Sequence, residues 1–139
     1  MFYLDTSFLV PLFVSEPDSD AVLGWLGRIG ADPLVTSEWT IPEFASVLVR
    51  RVRMSLQSRA AAERSFGLFE QWLPDIGVLS PTRADFDAAA RFVRTVSGLR
   101  APDALHLAVQ SAHGNLALMT LDAGMSKAAR SLGLQVGRL

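Results

Sequence analysis

The chain of 139 residues contains no cysteine. That excludes disulfides, thiolate metal sites and a cysteine nucleophile. Histidine is scarce as well: His106 and His113 are the only two, which disfavours a metal site built on imidazoles. Lys127 is the single lysine among thirteen basic residues, so almost all positive charge is guanidinium. No hydrophobic run is long enough to span a bilayer. The apolar N-terminus has no basic region before it and is interrupted by Asp5, unlike a signal peptide. We find no repeat, low-complexity segment or linker. The expectation is one domain over residues 1–139 in a soluble, cytoplasmic protein with no membrane partner.

Half of the residues are hydrophobic, enough for a real core and for some apolar surface in an oligomer or partner interface. Phe2, Tyr3 and Leu4 read as a short buried strand, followed at once by Asp5, Thr6 and Ser7. A buried helix over Phe8–Phe13 is expected, with Thr6 or Ser7 as its cap. Further helices are predicted over 19–29, from Ile41 to the cluster Arg50, Arg51 and Arg53, over 57–73, 82–96, 102–113 and 125–132. For the 82–96 helix the predicted apolar face is Phe86, Ala89, Ala90 and Val93. Short strands fall at Leu34–Thr36, Ile76–Leu79 and Leu116–Met119, with a possible edge strand at Leu134–Val136. Alternating helices and short strands predict a three-layer α/β/α fold with a short, mostly parallel central sheet.

In such a chain the strand ends and the starts of the following helices share one edge of the sheet, where ligands bind. Four acids occupy that register. Asp5 follows the first strand, and Glu43 lies in the first turn of the helix after the second. Asp103 opens a helix beside Pro102, and Asp122 follows the Leu116–Met119 strand. Singly, each has a plain alternative as a helix cap or a favourable first-turn charge. Together, like charges at close range oppose one another unless a cation intervenes. A hard divalent ion such as Mg²⁺ or Mn²⁺ suits oxygen donors of this kind and can activate water or stabilise charge on a phosphoryl oxygen. Thr6, Ser7 and Thr120 are placed to hydrogen-bond the carboxylates or bound waters. Setting the four acids aside leaves ten acidic against thirteen basic residues, a balance that permits a nucleic-acid substrate.

The segments Tyr3-Leu4-Asp5-Thr6-Ser7, Thr36-Ser37 with Ile41-Pro42-Glu43, Leu99 to Ala108, and Thr120-Leu121-Asp122 resemble, in order, those of PIN domains. The likeness is greatest to the VapC-type toxins of toxin–antitoxin pairs and spans nearly the whole chain. It implies a Mg²⁺- or Mn²⁺-dependent endoribonuclease acting on structured RNA such as tRNA or rRNA. It also implies a homodimer, and inhibition by a VapB-type antitoxin whose C-terminal segment covers the site. The carried-over metal-site and catalytic residues are Asp5, Glu43, Asp103 and Asp122. Pro102 stands where alanine is more usual in the family.

Other residues carry weaker signals. His106, one turn from Asp103, reads first as a partly buried structural histidine satisfied by hydrogen bonds and second as a substrate contact. Arg100 is the preferred phosphate contact. The stretch from Arg50 to Arg64 reads equally as a phosphate-binding rim or a solvated helix face. Trp25 and Trp72 read as core or interface, while Trp39 is the more open candidate for base stacking. Glu38 is a rival to Glu43, set aside because Pro42 marks the helix start. Two competing functions remain at this stage. One is a phosphohydrolase with Asp5 as nucleophile, although Ser7 replaces the second acid such enzymes use. The other is a metal-stabilised module that binds RNA or a protein partner without cutting.

Overall fold

A computed structural model describes residues 1–114 and 116–139. Four strands form one parallel sheet in the order β3-β2-β1-β4, with β1 Phe2–Leu4, β2 Leu34–Ser37, β3 Gly77–Leu79 and β4 Ala117–Met119. Phe2 of β1 is in register with Leu34 of β2 on one side and with Ala117 of β4 on the other. Seven helices among the described residues cover the sheet: α1 Thr6–Phe13, α2 Ser19–Arg28, α3 Thr40–Arg53, α4 Arg59–Trp72, α5 Arg83–Thr95, α6 Ala101–Ala112 and α7 Ala123–Ser131. The fold is the three-layer α/β/α arrangement with a short parallel sheet.

Two cores lie on the two faces of the sheet. Tyr3, Leu118 and Val35 pack with α6 and α7 through Leu107, Val109 and Ala129. Leu4 and Met119 pack with α1 to α4 through Phe8, Trp25, Phe44 and Phe69. Alternate residues of β1 thus serve opposite faces, as the pleat requires. Phe44 and Phe69 stack with ring centroids 4.4 Å apart, and Phe13 meets both edge-on. Such pairs add roughly 0.5–1.5 kcal/mol to area burial alone. Trp25 is core, in edge contact with Phe2 and Phe8.

Several local expectations change. Asp5 caps α1, accepting from the Phe8 N–H at 2.9 Å, in place of Thr6 or Ser7. The helix expected from Gln57 begins at Arg59, because Ser58 caps it through the Ala61 N–H. On α5 only Ala89 of the predicted apolar face is buried, and Phe86 and Val93 face outward. The capping box of Thr82 and Asp85 buries Asp85, which turns Ala89 and Phe92 to the core and Phe86 away. The last strand reduces to one parallel bridge, Leu118 with Val136. No helix among the described residues is long and apolar enough to cross a membrane.

Candidate metal and active site

All four acids lie at the carboxyl edge of the sheet and line one cavity of about 630 Å³. Topology places Asp5, Glu43 and Asp122 there, while Asp103 opens α6, which follows α5 directly. The strands are parallel and adjacent, so each β-to-α junction opens on the same edge. Asp5 caps α1 after β1, Asp122 caps α7 after β4, and Glu43 and Asp103 sit in the first turns of α3 and α6. The capping role offered as the plain alternative for Asp5 and Asp122 is therefore real. It fixes each side chain at the cavity wall, so cap and site are compatible.

Asp5 is the most enclosed of the four, at 3% exposure. Its Oδ1 accepts from the Phe8 N–H and from Ser7 Oγ at 2.8 Å, and its Oδ2 accepts from Thr120 Oγ1 at 2.7 Å. Ser7 Oγ in turn accepts from the Leu121 N–H at 2.9 Å, tying the β1 and β4 junctions together. Thr6, Ser7 and Thr120 thus all contact site carboxylates. Burial pushes the Asp5 carboxyl above its ordinary range, opposed by the His106 charge and by hydrogen bonds from Thr120, Phe8 and Ser7. A cation beside Asp5 would reverse that push.

Glu43 takes part in a chain of contacts that local sequence does not reveal. His106 Nε2 lies 2.6 Å from Glu43 Oε2, and Tyr3 Oη lies 2.8 Å from His106 Nδ1. Burial raises the Tyr3 phenol well above its usual value, so it keeps its proton. His106 is thus held at both ring nitrogens, by the phenol at Nδ1 and by the Glu43 carboxylate at Nε2. Thr6 Oγ1 donates to the same carboxylate oxygen at 2.5 Å. Burial pushes the Glu43 carboxyl up, but His106, by hydrogen bond and charge, and Thr6 outweigh it, and the net shift is downward. From the sequence Tyr3 reads only as strand. The signal was its place two residues before Asp5, but its partner is 103 positions away.

Arg100 bridges the remaining two acids. Its Nε donates to Asp103 Oδ2 at 2.8 Å and its NH2 group to Asp122 Oδ2 at 3.3 Å. The hydrogen bond to Asp103 and the charges of both acids hold the guanidinium firmly protonated. Among the described residues no three acidic or imidazole groups stand together closely enough to grip an ion as arranged. The donor chemistry nevertheless fits a hard divalent cation: four carboxylates, no sulfur, and the one nearby imidazole already engaged at both nitrogens.

Sequence reasoning overlooked Glu16 and Asp18, which belong to the turn before α2 and line the same cavity with Ser46 and Arg50. Arg51 is instead paired with Glu16 at 2.5 Å, linking α3 to that turn. Of the basic stretch only Arg50 reaches the cavity wall. Glu38 is exposed and outside it, and Trp39 packs partly buried against the core. His106 is 2% exposed, more deeply buried than the partly buried histidine expected, and is satisfied by hydrogen bonds as expected. His113 is exposed.

A family model for the PIN domain matches residues 2–131. No curated protein matches the chain by sequence. Among solved structures, VapC20 of Mycobacterium tuberculosis, described as a toxin that cleaves the sarcin–ricin loop, superposes with a TM-score of 0.77 at 18% identity, with 100% of both chains covered. FitAcB of Neisseria gonorrhoeae gives 0.72 at 20% identity, covering 99% of this chain and 97% of that one. VapBC2 of Rickettsia felis, bound to promoter DNA, gives 0.71 at 15% identity, covering 99% and 98%.

Proposed function

The chain belongs to the PIN-domain family, and from that membership we propose that it is a metal-dependent endoribonuclease, the toxin of a toxin–antitoxin pair. The observation that carries this reading is the convergence of Asp5, Glu43, Asp103 and Asp122 on one cavity at the carboxyl edge of the sheet. Mg²⁺, or Mn²⁺ in its place, is the cofactor whose chemistry the four carboxylates suit. When bound it supplies Lewis-acid stabilisation of the phosphoryl oxygens and a water of lowered pKa. Asp5, Asp103 and Asp122 are assigned to hold it, with Glu43 completing the set.

The protein's own groups do the rest. Ser7, Thr120 and the Phe8 N–H fix the Asp5 carboxylate against rotation. Both contacts to Glu43, from Thr6 and His106, converge on Oε2. Oε1 is therefore the oxygen assigned to receive a proton from the attacking water. Arg100, which pairs with Asp103 and Asp122 at the cavity wall, is the group assigned to the scissile phosphate, and a cation held by those acids would leave its guanidinium available for it. Its planar fork would suit that partner. Asp5 is buried beneath several hydrogen bonds, which counts against it as a phosphoryl-accepting nucleophile.

The substrate class is structured RNA, tRNA or rRNA, in keeping with the sarcin–ricin loop cut by VapC20. The protein partners are a VapB-type antitoxin and a second copy of the chain, in keeping with the toxin–antitoxin assemblies among the structural neighbours. The test is cleavage of total tRNA and rRNA in Mg²⁺ and Mn²⁺. EDTA should abolish it, and Asp5→Asn should lower it at least about a hundredfold, since a direct ligand should matter no less than the partners that orient one. Asparagine is as good a helix cap as aspartate, so the variant should remain folded by circular dichroism. Undiminished cleavage by Asp5→Asn would sink the mechanism.

A further inference from the structure

A second cavity, of about 730 Å³, adjoins the first and shares Arg100, Asp103 and Asp122 with it. The Arg100–Asp122 pair is thus part of the wall between two lobes of one trench. The lobes differ in chemistry. The first is lined by six carboxylate residues against two arginines. In the second, beyond the shared wall, the only charged lining residue is Lys127. Its floor is apolar, with Leu99, Met125 and Ala128 all buried. Exposed hydroxyl residues at its margin include Ser97 and Ser131.

That combination suits one kind of occupant. An apolar floor receives the face of a nucleobase. Hydroxyls at the margin suit base edges and sugar oxygens. Lys127 makes no ion pair among the described residues, so its charge is available to a phosphate. It follows the cap residue Asp122 by five positions, about 7.5 Å along the α7 axis at 1.5 Å per residue. That is comparable with the step from one phosphate to the next in an extended strand. The size of the lobe falls in the usual range of ligand pockets.

We infer that this second lobe is a nucleotide subsite. It holds the base next to the scissile phosphate on the floor between the α5–α6 loop and α7, and Lys127 neutralises that nucleotide's outer phosphate. The inference rests on the endoribonuclease reading and extends it to the path of the strand. Acidic lobe and subsite then divide the work, one for the reacting phosphate and one for the identity of its neighbour.

Three variants test it: Lys127→Ala, Lys127→Arg and Ser97→Trp, the last placing an indole in the lobe from an exposed loop position. RNA affinity is read by fluorescence anisotropy on a labelled RNA containing a cleaved site, with Ca²⁺ replacing Mg²⁺ to keep it intact. Cleavage kinetics are read in Mg²⁺, and Mn²⁺ affinity by titration calorimetry. Lys127→Ala should raise KM several-fold at nearly constant kcat and reduce the salt-dependence slope of binding by about 1. Lys127→Arg should restore both. Ser97→Trp should weaken RNA binding on the order of tenfold, the scale of one stacked base, and shift the preference for the nucleotide beside the cut. All three should bind Mn²⁺ as the unaltered protein does, which also reports that the site is folded.

If the unaltered protein cuts RNA and the variants match it in KM, salt slope and preference, the subsite is wrong while the nuclease reading stands. If they match it on RNA but weaken inhibition by the antitoxin, the lobe is a peptide surface and the inference again fails. An unaltered protein that neither binds nor cuts RNA overturns both.

Discussion

Arg100 holds two opposed positions within the proposed mechanism. Its guanidinium neutralises Asp103 and Asp122 in the metal-free protein, so it competes with a divalent ion for the same carboxylates. Replacing it should therefore tighten metal binding while weakening catalysis. Arg100→Gln should bind Mn²⁺ several-fold more tightly by calorimetry, yet cleave RNA at least about tenfold more slowly, as expected for a lost charge-assisted phosphate contact. Equal loss of both properties would mean that Arg100 merely shapes the site. Tyr3 offers a stability test. Removing its hydroxyl leaves His106 Nδ1 buried without its partner, and an orphaned buried polar group costs about 1–3 kcal/mol. Tyr3→Phe should lower the urea midpoint accordingly with an unchanged m-value. An unmoved midpoint would show that the phenol contributes nothing there.

At the scale of elements, α5 presents Phe86, Ala90 and Val93 to solvent, with Phe86 half exposed. Asp87 lies near Phe86 and Arg94 beside Val93. Laid antiparallel on its copy about Ala90, the helix brings each Phe86 near the partner's Val93, and each Asp87 near the partner's Arg94. Such a pairing would set apolar side chains against each other and bring Asp87, paired within the chain to Arg83, toward an opposite charge, as a two-fold contact requires. Phe86→Asp should convert a dimer to a monomer in sedimentation equilibrium without lowering the unfolding midpoint of the monomer. A dimer that persists would place the contact elsewhere. This face also marks where sequence reading failed. Phe86 and Val93 are apolar and seven apart, so periodicity alone sent them inward. The capping box of Thr82 and Asp85 set the rotation differently. The parallel strands and most helices were legible because Pro, Gly and cap residues bound their apolar stretches. Asp5, Glu43 and Asp122 were legible because parallel topology assigns strand ends to one edge, whereas Asp103 opens a helix that follows another helix and was marked by the resemblance of its segment. The chain from Tyr3 through His106 to Glu43 was not, since it joins residues separated by 103 and 63 positions whose contact only packing decides. Glu16 and Asp18 were hidden likewise, in a turn with no signal beyond its turn residues.

For the molecule as a whole, a formal charge of -1 conceals a division. The acidic lobe gathers six carboxylate residues around two arginines, whereas arginines such as Arg53, Arg59, Arg64, Arg91 and Arg94 stand exposed on the helices outside. A polyanion approaching the metal-free protein meets repulsion where the chemistry would occur. Attraction is left to the outer surface, which cannot place a phosphate among the acids. A divalent ion cancels part of that negative excess and sets a positive charge beside the phosphate at short range, where screening by salt is weakest. Metal binding should therefore precede productive RNA binding. RNA affinity measured by anisotropy at constant ionic strength should fall at least about tenfold when Ca²⁺ is replaced by EDTA. That is the scale of 1.4 kcal/mol, well within the interaction of one charge pair at 4 Å and an effective dielectric constant of 20. Asp5→Asn should reproduce the loss with Ca²⁺ present, because it removes a ligand rather than a phosphate contact. Affinity indifferent to both changes would mean that the arginines of the outer helices carry the RNA, with the acidic lobe playing no part in its capture.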